Sequence, residues 1–168
     1  MSDLQLISEK AVTDLADHLI GRRWCVTTAE SCTGGGVAHA FTAVPGSSTW
    51  FEAGYVTYSN RIKNKLLGVH QETLERLGAV SEAVVKEMVA GALSLSDAEV
   101  GVAISGIAGP DGGSPEKPVG TVWFAWQIKG QSPEAERCFF KGDRDHVRQQ
   151  AIEHAISGLN SILLKTPV

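Results

Sequence analysis

Three consecutive glycines, Gly34-Gly35-Gly36, stand between a short run rich in β-branched residues and an apolar stretch with helical spacing. Few folds accept that arrangement. Glycine at a helix start costs roughly 1 kcal/mol per residue against alanine, so the turn is one where the backbone approaches something closely. Residues 24–28 read as a strand before the turn, and residues 37–44 as a helix after it. Strand, small-residue turn and helix make the repeating unit of an α/β sheet.

The rest of the chain continues the alternation. Leu4, Ile7, Ala11, Leu15 and Leu19 form a helical stripe, with Gly21 as its stop signal. After the break at Pro45-Gly46-Ser47-Ser48, residues 51–59 read as a second strand. Asn60 can cap a helix through Leu67, closed by Gly68, and residues 71–77 make another, closed by Gly78. Ser81 sits at an N-cap position before the stripe Val84, Val85, Met88, Val89, Ala92 and Leu93. Residues 100–104 and 119–128 read as strands, and a short polar turn separates the latter from a strand at 135–140. So short a connection predicts antiparallel neighbours. Asp143 or Asp145 caps a last helix with the stripe Val147, Ala151, Ala155, Ile156, Leu159 and Ile162.

Helices between the early strands imply parallel crossovers. The expected fold is a single α/β domain over residues 1–168, a three-layer α/β/α sandwich on a mixed, mostly parallel sheet of about five strands. The 168 residues suit one domain, and 43% apolar with 20% charged residues is globular composition. No apolar run approaches the ~18 residues of a membrane span, and no signal peptide is expected. Fifteen Lys and Arg against 19 Asp and Glu give a net charge of −4. That excludes a global footprint for nucleic acid and leaves room for one basic pocket. Cys25, Cys32 and Cys138 form no CxxC, and the five histidines no HExxH, so no metal site is expected. Reduced thiols suit a cytoplasmic protein.

Two segments break local rules, and both follow strands, where ligands bind in open α/β sheets. In Glu30-Ser31-Cys32-Thr33-Gly34-Gly35, Ser31 would stand beside unpaired N–H groups at a helix start. That is the arrangement of a serine nucleophile and an oxyanion hole. The plainer alternative makes Ser31 or Thr33 a cap, with Glu30 capping the turn or orienting a partner. The second segment is Ser105-Gly106-Ile107-Ala108-Gly109 and onward to Gly113. Pro110, Pro115 and Pro118 forbid a Rossmann helix there, which leaves a ligand loop or a plain surface loop.

A nucleophilic serine needs a base. His39 falls two turns into the following helix and is poorly placed. Lys63 and Lys65, after the second strand and Tyr58, are better placed for a Ser–Lys variant of triad logic. A lysine neutral near pH 7.5 must drop about three units from 10.4, or roughly 4 kcal/mol of desolvation, which requires a dry pocket. Spacing does not choose between the two lysines. Cys32 is a rival nucleophile if a helix N-terminus lowers its pKa. Lys141, Arg144 and Arg148 form a small basic patch that could meet a phosphate.

TTAESCTGGG at 27–36, VPGSSTWFEAGYVTYSN at 44–60, GAVSE at 78–82 and SGIAGPDGGSPEKPVGTVWFA at 105–125 resemble the CinA C-terminal domain family, most closely its single-domain members. The resemblance runs from about Leu6 to Leu163. It implies an α/β/α sandwich, and deamidation of nicotinamide mononucleotide to nicotinic acid mononucleotide and ammonia. It implies Ser31 as nucleophile with Lys63 and Tyr58 as partners, the 105–113 loop in the pocket, and a bacterial cytoplasmic homodimer using no metal or cofactor. It carries over no pyrophosphatase activity, because the N-terminal domain of longer members has no counterpart here. On this reading the oxyanion lies near Thr33–Gly35, and the phosphate near the Ser105 loop or Arg144 and Arg148. A non-catalytic nucleotide-binding or protein-interaction module is the alternative from another class, and a Cys32 amidase is the third reading.

Overall fold

The computed structural model describes residues 3–168, with side chains from residue 9 onward. Six α-helices and five strands follow in the order α1 (Asp3–Arg22), β1 (Val26–Glu30), α2 (Gly36–Thr42), β2 (Phe51–Val56), α3 (Asn60–Leu67), α4 (Gln71–Leu77), α5 (Glu82–Leu95), β3 (Val100–Gly106), β4 (Thr121–Ile128), β5 (Glu134–Phe139) and α6 (Arg144–Leu164). A 3-10 turn at Ser47–Thr49 precedes β2. No helix among the described residues is long and apolar enough to cross a membrane.

The strands form one sheet in the order β2-β1-β3-β4-β5. β1 pairs in parallel with β2 and with β3, while β3–β4 and β4–β5 are antiparallel. The sheet is therefore mixed in equal parts, not mostly parallel. The reason lies between β3 and β4. Pro110, Pro115 and Pro118 leave no helix to carry the chain back, so β4 returns alongside β3 as its antiparallel neighbour.

Helices cover both faces. Val26, Val100, Val102, Ile104, Val122, Phe124 and Trp126 pack against α1, α2 and α6. Ala29, Ala103 and Ala125 face α5 and the ends of α3 and α4. The period of two along each strand makes that division. Small residues on the second face let α5 sit close. Within α5, Gly91 lies so near α3 that a Cβ there would collide with the Leu67 carbonyl oxygen.

Several boundaries differ from the sequence expectation. α1 runs through Gly21 to Arg22, and Arg23 turns the chain with φ of 56°. Leu4 and Ile7 of its stripe lie outside the described side chains. β1 starts two residues later than expected and carries on to Glu30. Ser59, not Asn60, caps α3, accepting from the Ile62 N–H at 3.2 Å. Ser81 caps α5, and Asp143 rather than Asp145 caps α6. Ser105 and Gly106 belong to β3 and not to the loop.

Candidate active site

Parallel pairing puts the carboxyl ends of β1, β2 and β3 at one edge of the sheet. Glu30 is level with Val56 on one side and with Ile104 on the other. The next residue along each strand therefore meets at one spot. Ser31 donates its N–H to the Ile104 carbonyl at 3.0 Å, and Thr57 donates to the Glu30 carbonyl at 2.9 Å. Ser31, Thr57 and Ser105 are all buried.

Lys63 reaches this spot from α3. Its Nζ donates to Ser31 Oγ at 2.9 Å, to the Thr57 carbonyl at 2.8 Å and to the Tyr58 carbonyl at 3.2 Å. Ser31 is 7% exposed and Lys63 only 1%. Among the described residues no carboxylate neutralises the ammonium there, and burial lowers the Lys63 pKa to about 8. Helix phase decides between the two lysines. Lys63 and Leu67 share the buried face of α3, while Lys65 points to solvent.

Glu30 has a different task from substrate contact. It is fully buried, and its carboxylate accepts from Thr33 Oγ1 at 2.7 Å and from the N–H groups of Val37 and Ala38 at 2.9 and 3.1 Å. It occupies the N-terminus of α2, which therefore offers those donors to no ligand. Between Ser31 and α2, Gly34 and Gly36 donate back to the carbonyls of Ser31 and Thr33. Gly34 and Gly35 take φ of 60° and 93° to make these turns, a left-handed conformation that favours glycine. The N–H groups of Cys32 and Thr33, directly after Ser31, donate to no acceptor on another residue among the described residues.

The remaining expected residues divide. Ser105, Gly106 and Ala108 line the cavity of ≈ 220 Å³ that holds Ser31 and Lys63, together with Tyr58 and Arg144. Tyr58 enters through its backbone. Its side chain is 62% exposed, and its hydroxyl accepts from Arg144 Nη2 at 3.3 Å. Arg144 also donates to the Gly109 carbonyl at 2.8 Å. Ile107 holds the loop to β4 by exchanging backbone bonds with Thr121 and Gly120. Arg148, one turn along α6, turns elsewhere. It donates to the Cys32 and Thr33 carbonyls at 3.2 and 3.3 Å and lines a groove between α1, α2 and α6. His39 and Lys141 are exposed and do not line the cavity.

Cys32 lines the cavity, but burial pushes its thiol up to about 12. The thiol stays protonated at neutral pH, against the expectation of an activated thiolate. Asn60, Ala79 and Val80 complete the wall. Sequence reasoning missed their role, although two of them lie in the GAVSE motif already noted.

A buried serine hydroxyl bonded to an easily deprotonated lysine, beside two free backbone donors, can perform acyl transfer. The profile of the CinA C-terminal domain matches residues 8–163. The chain is 57% identical over 147 residues to the nicotinamide-nucleotide amidohydrolase PncC of Pseudomonas putida, covering 88% of this chain and 91% of that protein. It is 54% identical over 159 residues to the protein of the same name from Escherichia coli K12, covering 94% and 93%. A crystal structure of a CinA superfamily protein from Klebsiella pneumoniae 700603 superposes with a TM-score of 0.91 at 43% identity, covering 95% of this chain and 99% of that one. The chain belongs to the CinA C-terminal domain family.

Proposed function

We propose that this chain is a nicotinamide-nucleotide amidohydrolase, a single catalytic domain that converts nicotinamide mononucleotide and water to nicotinic acid mononucleotide and ammonia. The observation that carries the reading is the 2.9 Å hydrogen bond between the buried Lys63 Nζ and Ser31 Oγ in the pocket. The identity of 54–57% with two proteins named for this activity supports the substrate.

Neutral Lys63 takes the Ser31 proton as Oγ attacks the carboxamide carbon. With a pKa of about 8, about a quarter of the lysine is neutral at pH 7.5. The Cys32 and Thr33 N–H groups receive the oxyanion. Lys63 then returns the proton to the departing ammonia. A water, deprotonated by the same lysine, hydrolyses the Ser31 ester and releases the acid. Tyr58 holds Lys63 through its carbonyl, and its phenol stands at the mouth. The cavity takes the pyridine carboxamide inward. The nucleotide phosphate lies outward against Arg144, whose guanidinium is exposed beside the mouth. Arg148 keeps the Ser31 loop in shape from behind.

The test is ammonia release from nicotinamide mononucleotide by wild type, Ser31→Ala and Lys63→Ala, each shown to be folded by circular dichroism. The expected loss is roughly 10³-fold or more in both variants, since members of such a unit fail together. Release that survives in Ser31→Ala refutes the serine nucleophile. No release by the wild type turns the reading toward a binding module.

A further inference from the structure

At the other edge of the sheet, far in strand order from Ser31, a second group of reactive side chains meets. Glu136 and Cys138 are two residues apart on β5 and so face the same side. That side carries α6, which brings His154 against both. His154 Nε2 lies 3.4 Å from Cys138 Sγ and 2.8 Å from Glu136 Oε2. The three donor atoms all fall within 4.8 Å of one another.

We infer that Glu136, Cys138 and His154 form a binding site for one divalent cation of the zinc class, with a fourth position open to water. The donor set selects the class. Thiolate and imidazole suit zinc and its neighbours, whereas calcium and magnesium take oxygen. The spacing fits too. A tetrahedral ion with nitrogen and oxygen at about 2.0–2.1 Å and sulfur at about 2.3 Å separates neighbouring ligand atoms by about 3.3–3.6 Å. The sulfur–nitrogen distance is already there. The Glu136 oxygen is about half an ångström too close to Nε2 for that geometry and lies within 4.8 Å of the sulfur, and Glu136 is exposed on an edge strand, where it can adjust.

The imidazole is held in place by three rings. Its centroid lies 4.7 Å from Phe124, 5.7 Å from Trp126 and 6.0 Å from Phe140, each near edge-to-face. Such fixing of a ligand ring lowers the entropy lost on coordination. Binding exchanges the thiol proton for the metal: Cys138–SH and M²⁺ give Cys138–S⁻–M²⁺ and a released proton. His154, whose Nε2–H donates to the Glu136 carboxylate in the metal-free state, moves that proton to Nδ1 so that Nε2 can coordinate. No electron is transferred. The ion would clasp β5, an edge strand, to α6. Sequence spacing conceals the site because its ligands come from a strand and a helix 16 residues apart.

The experiment uses the full chain without an affinity tag, stripped by chelator and titrated with Co(II) and then Zn(II). The expected result is one ion per chain, a thiolate-to-cobalt charge-transfer band in the near ultraviolet, and its displacement by zinc. Cys138→Ser should lose the band, and His154→Gln and Cys138→Ser should weaken zinc binding at least tenfold in equilibrium dialysis. Zinc should raise the melting temperature of the wild type and not of Cys138→Ser. Cys138 is partly exposed on an edge strand, so this variant keeps the test alive if His154→Gln, packed among aromatic rings, fails to fold. Absence of the band in the wild type overturns the inference. So does zinc affinity equal in the wild type and Cys138→Ser, or a band that Cys25→Ser removes instead.

Discussion

If Lys63 is the base, the rate of ammonia release must follow its deprotonation. Its pKa of about 8 makes the neutral fraction about 1% at pH 6, about 10% at pH 7 and about half at pH 8. kcat/KM for ammonia release, which reports the free enzyme, should therefore climb about tenfold from pH 6 to 7, about 50-fold from pH 6 to 8, and less than about twofold beyond. The substrate phosphate has its own second ionisation near pH 6, so the profile is measured with the dephosphorylated nucleoside as well. A flat profile between pH 6.5 and 8, or a midpoint below pH 7, would show that another group sets the rate.

The same ionisation supplies an independent handle in stability. The folded pKa of Lys63 lies below its ordinary value of 10.5. Between about pH 8 and 10.5 the unfolded chain holds a proton that the folded chain has released. Stability therefore gains with rising pH across that window, and the burden of the buried charge is fully present below it. A shift of this size corresponds to roughly 3 kcal/mol for a side chain so buried. Lys63→Met removes the charge and keeps most of the volume. The stability difference between wild type and Lys63→Met, measured by urea unfolding, should move by roughly 3 kcal/mol in favour of the wild type from pH 7 to pH 10.5. A difference that does not change with pH would mean that Lys63 is not desolvated as argued.

The other residues of the pocket separate by their tasks. Tyr58→Phe keeps the backbone carbonyl that holds Lys63, so kcat should fall less than about tenfold; a loss near that of Lys63→Ala would make the phenol part of the proton path. Arg144→Ala should raise KM for nicotinamide mononucleotide by roughly 10- to 100-fold and leave the dephosphorylated nucleoside little affected, which steady-state kinetics on the two substrates would reveal. Glu30→Gln turns an amide donor toward N–H groups that Glu30 now accepts from, and should lower stability by roughly 2–4 kcal/mol in urea unfolding. Gly91→Ala should fail to fold stably or melt far below the wild type, since its Cβ would collide with the Leu67 carbonyl and push α3, and Lys63 with it, from the site.

Much of this site could be read in the chain because its parts sit at strand ends. Ser31 and Lys63 are 32 residues apart, but each follows a strand, and parallel strands bring their carboxyl ends together. The choice of Lys63 over Lys65 was legible in principle, since Lys63 and Leu67 are one turn apart on the face that α3 buries. Other features depend on contacts that no local pattern carries. Arg144 and Arg148 are also one turn apart, yet one reaches the cavity mouth and the other the back of the Ser31 loop. The difference is where the Gly109 carbonyl and the Cys32 carbonyl happen to lie. The direction of β4 depends on a loop whose prolines say only that no helix intervenes. The expected stop at Gly21 failed because Arg22, one residue on, is tied to the His18, Leu163 and Thr166 carbonyls before Arg23 turns the chain.

Glu30 resolves a conflict built into the sequence. A helix start after a strand can hold an oxyanion or bind a phosphate, and the same N–H groups cannot do both. The Glu30 carboxylate takes the Val37 and Ala38 N–H groups for itself. A second negative group at that helix end would stand against a buried carboxylate, at a cost far above the roughly 0.3–1 kcal/mol that a helix dipole offers an anion. On the proposed function the phosphate then belongs at the mouth, with Arg144. What remains beside Ser31 is the pair of Cys32 and Thr33 donors in the turn, outside the helix proper. On the proposed mechanism they need only meet charge that develops on one oxygen during the reaction, which is the condition under which such donors favour the transition state over the bound substrate.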